Sequence, residues 1–205
     1  MEYKKNIIDS QEHFYKLAIL KNTIKVGIVL TEDNKKMIHV KTPAKNYFFY
    51  HSENLVCKLD LNNEYEIRCN ENEIIFLKNN QIIDKTSKTA KIFCENNESL
   101  DIEQSLKLHG IVAGRGFHWK KEIDATLPGN IFFESQNSKL FLINEVSINS
   151  YIACVATSEM SKECPRAFIE AQMLAAKSWF LANAENKHSD SGFDVCNDDC
   201  CQRYH

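Results

Sequence analysis

Residues 139–160 read KLFLINEVSINSYIACVATSEM, and the spacing of the apolar side chains changes within this stretch. Positions 139–143 form a short apolar run bounded by turn-forming residues, which is typical of a strand. From residue 148 onward the apolar side chains recur at helical spacing, at Ile148, Tyr151, Ile152, Val155 and Ala156. Ser147 stands directly before this pattern, where a helix N-cap is expected. The stretch therefore predicts that a β-rich region ends and a helical region begins near residue 144.

Upstream of residue 139, short segments rich in β-branched and aromatic residues alternate with clusters of Asn, Asp and charged residues, which is the pattern of strands and turns. We predict strands at residues 24–30, 37–42, 47–51, 55–61, 64–69, 73–78, 81–84, 90–94, 111–113 and 130–134. Hairpin turns are expected at residues 62–63, 79–80 and 136–138, because Asn tolerates a positive φ angle. The first two thirds of the chain is thus predicted to be a meander of antiparallel strands.

Downstream of the first predicted helix, residues 161–164 interrupt the pattern, and Pro165 suits the first position of a second helix. This helix is expected to extend to about residue 184, supported by several alanines of high helix propensity. The tail after Lys187 is rich in Asp and Cys. The predicted class is α+β: a β-rich antiparallel N-terminal two thirds, then a helical hairpin, then a Cys-rich knuckle suited to a metal.

The composition of the 205-residue chain narrows the classes of protein it can belong to. With 43% hydrophobic and 26% charged residues it fits a globular protein, which excludes a disordered or fibrous one. A net charge of −3 with interspersed signs lacks the basic footprint of a nucleic-acid-binding protein, so no nucleic-acid partner is expected. The sequence also shows no secretory signal pattern at its start and no apolar run long enough to span a membrane.

Glu159 is the first candidate for chemistry. The steps from Ile148 to Ile152, Val155 and Glu159 are 4, 3 and 4 residues, so Glu159 continues the apolar stripe of the first predicted helix. A carboxyl group at the end of such a stripe is partly desolvated, and this suits it to general-acid chemistry near neutral pH. A solvated Glu at a helix end fits the same spacing, so both interpretations remain open on spacing alone.

The eight cysteines fall into two groups. Five stand in apolar or mixed segments and are interpreted as small buried side chains: Cys57, Cys69, Cys94, Cys154 and Cys164. The other three, Cys196, Cys200 and Cys201, follow His188 within fourteen residues. Together the four residues offer the nitrogen and sulfur ligands of a tetrahedral zinc site. A disulfide between Cys196 and Cys200, or plain surface thiols, would fit the same spacing.

Two further clusters carry weaker signals. Residues 117–121, Phe-His-Trp-Lys-Lys, place two aromatic side chains beside two lysines, which suits contact with a sugar or an acidic polymer. The alternative interpretation of this segment is a strand with one buried and one exposed face. Four aspartates near the tail cysteines do not fit the spacing of an EF-hand calcium loop and are interpreted as a solvated acidic loop: Asp190, Asp194, Asp198 and Asp199.

Several blocks of the C-terminal half resemble motifs of the SpoIID/LytB family, in the order that the family has them. Asn144-Glu145, followed by Ser158-Glu159-Met160, resembles the family's NExxLExYLxxVxxSEM signature. Residues 167–182 resemble its ALKAQAVAARTYAL helix, and residues 193–204, FDVCNDDCCQRY, resemble its FDVCxxxHCQxY segment. Residues 116–120 also resemble a stretch that precedes the core in some members. By these motifs the chain is identified as a SpoIID/LytB-like protein.

The resemblance implies a peptidoglycan lytic transglycosylase, which cleaves the MurNAc–GlcNAc β-1,4 bond of glycan strands and leaves a 1,6-anhydro sugar. The catalytic Glu of the family corresponds to Glu159, which acts as a general acid and then as a base. We expect substrate-binding residues at Ser158, Gln172, Trp119 and Tyr204. The alternative is a non-catalytic glycan-binding or amidase-enhancing module, with a cell-wall amidase as its partner.

The resemblance also implies a structural zinc near the site. Cys196 and Cys201 match the two cysteines of the family segment, Cys200 stands where a His is common, and His188 is the expected fourth ligand. A location in the cell envelope or outside the cell is implied by the family, although the residues themselves show no export signal. We predict a β-rich region at residues 1–108 and a SpoIID/LytB-like domain at residues 109–205 that is incomplete at its C-terminal end.

Overall fold

The computed structural model describes residues 22–205 except 44–45, 88, 96–101, 162, 184–186 and 189. The strands are β1 Thr23–Val29, β2 Met37–Lys41, β3 Tyr47–His51, β4 Asn54–Lys58, β5 Glu64–Asn70, β6 Glu73–Lys78, β7 Gln81–Thr86, β8 Ala90–Cys94, β9 Leu106–Ala113, β10 Lys121–Leu127, β11 Asn130–Gln136, β12 Lys139–Ser147 and β13 Val195–Cys196. The described helices are α1 Ile148–Glu159 and α2 Arg166–Asn183, with short 3-10 turns at Thr31–Asp33 and Ile102–Gln104. The predicted α+β class is confirmed.

The strands of the described residues form two sheets. One has seven strands in the order β13-β1-β12-β11-β8-β3-β4, and the other has six strands in the order β10-β9-β2-β5-β6-β7. Neighbouring strands pair antiparallel, except that the short β13 pairs parallel with β1. The first described strand therefore lies between β12 and the cysteine-rich C-terminal segment in one sheet.

The buried faces of the two sheets share one hydrophobic core. Phe49 of β3 and Phe76 of β6 belong to different sheets, and their rings stack with centroids 3.9 Å apart and planes within 6° of parallel. Strand β5 alternates buried and exposed side chains, as a strand with one covered face does. Strand β12 instead has five consecutive buried residues at positions 140–144, because it is covered on both faces.

Helix α1 begins where the sequence predicts it. Ser147 is its N-cap, and the Ser147 Oγ accepts a hydrogen bond from the Ser150 N–H at 3.1 Å. The two helices pack through aromatic side chains, with the ring centroids of Tyr151 and Phe180 5.6 Å apart. Helix α2 has three buried side chains: Ala176, Phe180 and Leu181. It ends at Asn183, while residue 184, the predicted end, lies outside the described residues.

Two of the three predicted hairpin turns are confirmed. Asn79-Asn80 links β6 to β7 and Asn137-Ser138 links β11 to β12, and all four residues have positive φ angles. The prediction of a hairpin turn at residues 62–63 is wrong, because β4 and β5 lie in different sheets and this segment crosses between them. The chain therefore changes sheet here instead of continuing a meander.

Strand β10 is not among the predicted strands. It pairs antiparallel with β9, and the charged side chains of Lys121, Glu122 and Asp124 obscure its alternating pattern in the sequence. The alternative interpretation of residues 117–121 as a strand is wrong, because residues 114–120 form a loop of successive turns between β9 and β10. We call residues 114–120 the arm.

Two features bear on the organisation of the whole chain. The division after residue 108 stays a prediction from the resemblance, and the pairings β1 with β12 and β2 with β9 both join residues on its two sides. Within the part of the chain that the structure describes, no helix combines the length and apolar character needed to cross a bilayer. The predicted lack of a signal peptide concerns residues before 22, which lie outside the described residues.

Gly129, between β10 and β11, provides a test of the close packing around β12. Its φ angle is +90°, and a β-carbon there would lie 2.2 Å from the carbonyl oxygen of Glu145. We expect Gly129→Ala to lower the free energy of unfolding by more than about 3 kcal/mol, because backbone strain adds to a clash with backbone. Urea denaturation measures the loss.

Gly116→Ala is the matched control for this prediction. Gly116 also has a positive φ angle, +78°, but nothing lies within 4 Å of the added β-carbon. Backbone strain alone should then cost about 1–2 kcal/mol. Equal losses for the two variants would contradict the steric explanation.

Candidate functional site

An open cleft of about 140 Å³ lies where the arm, the end of α1 and the C-terminal segment meet. Its polar and aromatic lining includes Trp119, Lys121, Ser158, Asp198, Arg203 and His205. Two of the predicted substrate-binding residues, Trp119 and Ser158, are thus brought to one cleft although they are distant in the sequence. The arm supplies the first and α1 supplies the second.

Glu159, the predicted catalytic residue, follows Ser158 at the last position of α1 and is half-buried. Gln172 of α2 donates a hydrogen bond from its Nε2 to the Glu159 Oε2. Helices α1 and α2 form an antiparallel hairpin with a short connection, and this packing brings the two side chains together. The bond fixes the orientation of the carboxyl group and uses one of its two oxygens, so Gln172 has a defined contact with Glu159.

Ser158 is tied to the C-terminal segment beside the cleft. Its Oγ donates to the carbonyl oxygen of His205 at 2.8 Å, and the His205 N–H donates to the same Oγ at 3.2 Å. The pKa of His205 is lowered, first by desolvation and then by the positive charges of Arg203 and Lys121. Both cations therefore act on the same region of the cleft.

Tyr204, another predicted substrate-binding residue, lies beneath the site and not at its surface. The side chain is fully buried, and its hydroxyl donates to the Asn144 Oδ1 at 2.5 Å. Asn144 in turn donates from its Nδ2 to the carbonyl oxygens of Pro128 and Asn130, at 2.8 and 3.0 Å. Tyr204 thus anchors the C-terminal segment to β12, and a direct contact with substrate stays a prediction.

The four predicted metal ligands come together. The ligand atoms of His188, Cys196, Cys200 and Cys201 all lie within 4.8 Å of one another. The Sγ atoms of Cys196 and Cys200 are 2.9 Å apart, and the His188 Nε2 lies 3.2 Å from the Cys201 Sγ. All eight cysteines are free thiols. We call these four residues the His/Cys cluster, and it could bind a metal ion.

Close contact among the thiols shifts the pKa values of Cys196 and Cys200 in opposite directions. Hydrogen bonds from Cys196 and Cys201 lower the pKa of Cys200. The hydrogen bond to Cys200 raises the pKa of Cys196, and its contact with Cys201 adds to this. A cation that replaced the thiol protons would relieve this competition. Three of the other cysteines, Cys69, Cys94 and Cys154, are buried in the core, as predicted, while Cys57 and Cys164 are half-buried.

Arg115 of the arm sits in a network of buried charges. Its Nε and Nη2 donate to the two carboxylate oxygens of Asp33 at 2.7 and 2.6 Å, and its Nη1 donates to the Asn197 Oδ1 at 2.6 Å. Asp198 provides the second carboxylate of the network, and its Oδ2 lies 3.4 Å from the Arg115 Nη1. Burial alone would lower the pKa of Arg115, but the hydrogen bonds and charge of Asp33, helped by Asp198, raise it overall.

This network was not predicted, and the interpretation of Asp198 as solvated is wrong. The Asp198 side chain is only 3% exposed, because both of its oxygens bind groups of the arm. No local pattern reveals the network, since Asp33 and Asp198 lie 82 and 83 positions away from Arg115 in the sequence.

Trp119 completes the wall of the cleft formed by the arm. The guanidinium carbon of Arg203 lies over its ring, 4.9 Å from the centroid, and the Phe117 ring stacks beside it at 5.9 Å. Arg203 is also bound to Asp199, with the Nε 2.6 Å from the Asp199 Oδ1. An aromatic ring and a fixed guanidinium therefore face the cleft together.

The buried network predicts a large effect of removing its cation. Arg115→Met leaves Asp33, whose side chain has no exposed surface, without its ion-pair partner. We expect the free energy of unfolding to fall by about 3–5 kcal/mol in urea denaturation. Arg166→Met is the control, because the Arg166–Glu170 pair is exposed, with 92% of the Arg166 side chain accessible, and should change nothing measurable. Similar small effects for both variants would contradict the importance of the network.

Comparison with known proteins bears on the C-terminal part of the chain. Residues 136–205 match the family model SpoIID, described as Stage II sporulation protein. The comparisons with curated proteins and with solved structures gave no match. The matched segment contains β12, both described helices, Glu159 and the whole His/Cys cluster, while the arm lies outside it. The C-terminal part of this chain, residues 136–205, belongs to the SpoIID family.

Proposed function

We propose that the protein is a peptidoglycan lytic transglycosylase that cleaves the MurNAc–GlcNAc β-1,4 bond and forms a 1,6-anhydro sugar. Membership of the C-terminal part in the SpoIID family supports a cell-wall-related role. The observation that carries the finer proposal is the half-buried carboxyl group of Glu159, which Gln172 orients and which directly follows Ser158 of the cleft lining. A mechanism with one proton-transferring carboxyl group suits this reaction better than hydrolysis, which generally uses two carboxyl groups.

The reaction needs one proton carrier that acts twice. The protonated carboxyl group of Glu159 donates its proton to the glycosidic oxygen as the bond from this oxygen to C1 of MurNAc breaks. The 6-hydroxyl oxygen of the same sugar then forms a bond to C1, and the carboxylate of Glu159 accepts the hydroxyl proton. Atoms and charges balance without water, and Glu159 returns to its starting protonation state.

Gln172 supports both roles of Glu159. An amide Nε2 can only donate, so its bond to Oε2 favours a geometry in which the acidic proton resides on the other carboxyl oxygen. Asp198, an acidic residue that lines the cleft, is already bound by two backbone N–H groups of the arm and by Arg115. Its carboxylate is thus engaged in holding the arm, and the proposed mechanism uses the substrate's own hydroxyl instead of a second acid.

We also propose that the His/Cys cluster holds a structural zinc ion. Sulfur atoms on a tetrahedron around zinc lie about 3.8 Å apart, given zinc–sulfur bonds of about 2.3 Å. A set of three sulfurs and one nitrogen within 4.8 Å of one another fits this size and donor chemistry. Zinc bound there would join His188 to the segment 196–201 and add stability to that part of the fold.

The catalytic proposal predicts that Glu159→Gln abolishes release of anhydro sugar from purified glycan strands. An amide cannot transfer the proton, so we expect the rate to fall by about a hundredfold or more, measured by mass spectrometry of the products. Glu163→Gln is the matched control, because Glu163 is an exposed glutamate near the same helix end.

Product release that persists in the Glu159→Gln variant would overturn the catalytic assignment. Binding of glycan by the unmodified protein without any product would instead favour the non-catalytic glycan-binding or amidase-enhancing module. A partner amidase stays a prediction of the family resemblance.

The zinc proposal predicts about one zinc ion per chain after purification under reducing conditions. Elemental analysis by mass spectrometry measures this ratio, and Cys201→Ser should lower it because it removes one thiolate ligand. Cys164→Ser is the control, since Cys164 is not in the His/Cys cluster. An absence of metal, or a disulfide that includes Cys196, Cys200 or Cys201, would contradict the proposal.

A further inference from the structure

We propose that Asp198 is a positioning residue that docks the arm onto the cysteine segment, and that the docked arm forms one wall of the glycan-binding site. The inference rests on the proposed function, because it assigns a substrate-binding element to the same cleft. The arm lies outside residues 136–205, so the family match does not assign it.

Asp198 binds the first two residues of the arm through their backbone. The Gly114 N–H donates to the Asp198 Oδ1 at 2.9 Å, and the Arg115 N–H donates to the Oδ2 at 2.6 Å. Charge-assisted bonds of this kind are stronger than neutral ones, and burial of the carboxylate shields them from water. The Arg115 side chain adds a bond to the neighbouring Asn197. The arm is therefore fixed to residues 197–198, between two members of the His/Cys cluster.

The position of Gly114 also sets the position of Trp119. A β-carbon on Gly114 would lie only 2.6 Å from the Trp119 ring, so the ring packs directly on the glycine backbone, whose φ angle is +76°. Arg203 lies over the ring and is bound by Asp199, the neighbour of Asp198. The contacts thus lead from Asp198 to the arm, from Trp119 of the arm to Arg203, and from Arg203 back to Asp199. Displacement of any member would disturb the placement of Trp119 and Arg203 together.

The cleft wall that these contacts hold in place has the chemistry of a sugar-binding surface. It presents the aromatic ring of Trp119 and the cations Lys121 and Arg203 to the cleft. Aromatic rings pack against the apolar faces of sugars, and Arg and Lys donate hydrogen bonds to oxygen-rich substituents. Glu159 and Gln172 lie on the two helices, apart from the arm. Loss of the docked arm should thus weaken binding of the glycan more than it slows the chemical step.

The first test measures binding of purified, peptide-free peptidoglycan glycan strands to the chain carrying Glu159→Gln, so that nothing is cleaved. Adding Asp198→Asn places an amide donor where an oxygen accepts from the arm. We expect the Kd to rise by about tenfold or more. In the same variant, hydrogen exchange of the Gly114 and Arg115 amides should become faster, because Asn leaves one acceptor oxygen for the two N–H groups, removes the negative charge and places an NH2 group against the other N–H.

Asp194→Asn is the matched control for this substitution. Asp194 lies in the same segment, and its Oδ2 accepts a hydrogen bond from the Lys25 N–H at 2.9 Å. That bond ties the segment to β1 and does not involve the arm. We expect the control to leave the Kd and the exchange of the arm amides unchanged.

A second test separates positioning from general loss of structure. In the chain with Glu159 intact, Asp198→Asn should raise KM about tenfold and change kcat by less than about threefold. Trp119→Ala should raise KM in the parent but add little in the Asp198→Asn chain, because the ring has already left the cleft. Additive effects of the two substitutions on KM in the double variant, or a fall in kcat with an unchanged KM, would overturn the inference.

The outcomes for the inference and for the proposed function are distinguishable. Glycan binding that depends on Asp198, in a chain that releases no anhydro sugar, would support the arm and contradict the transglycosylase. Cleavage by the parent chain, with an unchanged Kd in the Asp198→Asn variant although its arm amides exchange faster, would support the transglycosylase and contradict the role of the arm. Failure of the parent chain to bind the strands at all would overturn the role of the arm.

Discussion

A buried guanidinium group needs compensation from every side, and at Arg115 the groups that provide it join separate parts of the chain. Asp33 follows β1, Arg115 lies in the arm between β9 and β10, and Asn197 and Asp198 lie among the C-terminal cysteines. Removing two carboxylates and a guanidinium from water is costly unless their geometry and hydrogen bonds are nearly complete. The network therefore tolerates one arrangement of these segments, and that arrangement creates the cleft.

A second set of buried polar contacts holds the helices and the C-terminal segment to β12. Asn144 stands in the middle of a strand that is covered on both faces, and its amide satisfies two carbonyls and the Tyr204 hydroxyl. The Tyr151 hydroxyl donates to Gln202 at 3.0 Å, so α1 is tied to the same segment. Buried polar groups of this kind are stable only when every partner is present, which makes the C-terminal segment part of the core.

Local patterns in the sequence predicted the features that depend on neighbouring residues. The start of α1 follows from helical spacing after a capping Ser147, and the turn at Asn79-Asn80 follows from the preference of Asn for positive φ. The prediction of a hairpin turn at residues 62–63 is wrong, because a turn-forming residue does not reveal which sheet the next strand joins. The sequence grouped His188 with three cysteines by proximity and ligand chemistry, and the structure brings their ligand atoms together.

The buried environments of Asp198 and Tyr204 were not predicted, because they are set by partners far away in the chain. Asp198 has the composition of an acidic loop around it, yet it is buried because the arm supplies two N–H groups to it. Tyr204 matches a family motif, but its position beneath α1 is decided by Asn144, sixty residues earlier. The proposed acid and its orienting amide lie within one helical hairpin, so a short segment can carry them. The arm, which forms one wall of the cleft, is held between two strands of a sheet. The buried charges that dock the arm connect it to the C-terminal part of the chain, which also contains the helical hairpin.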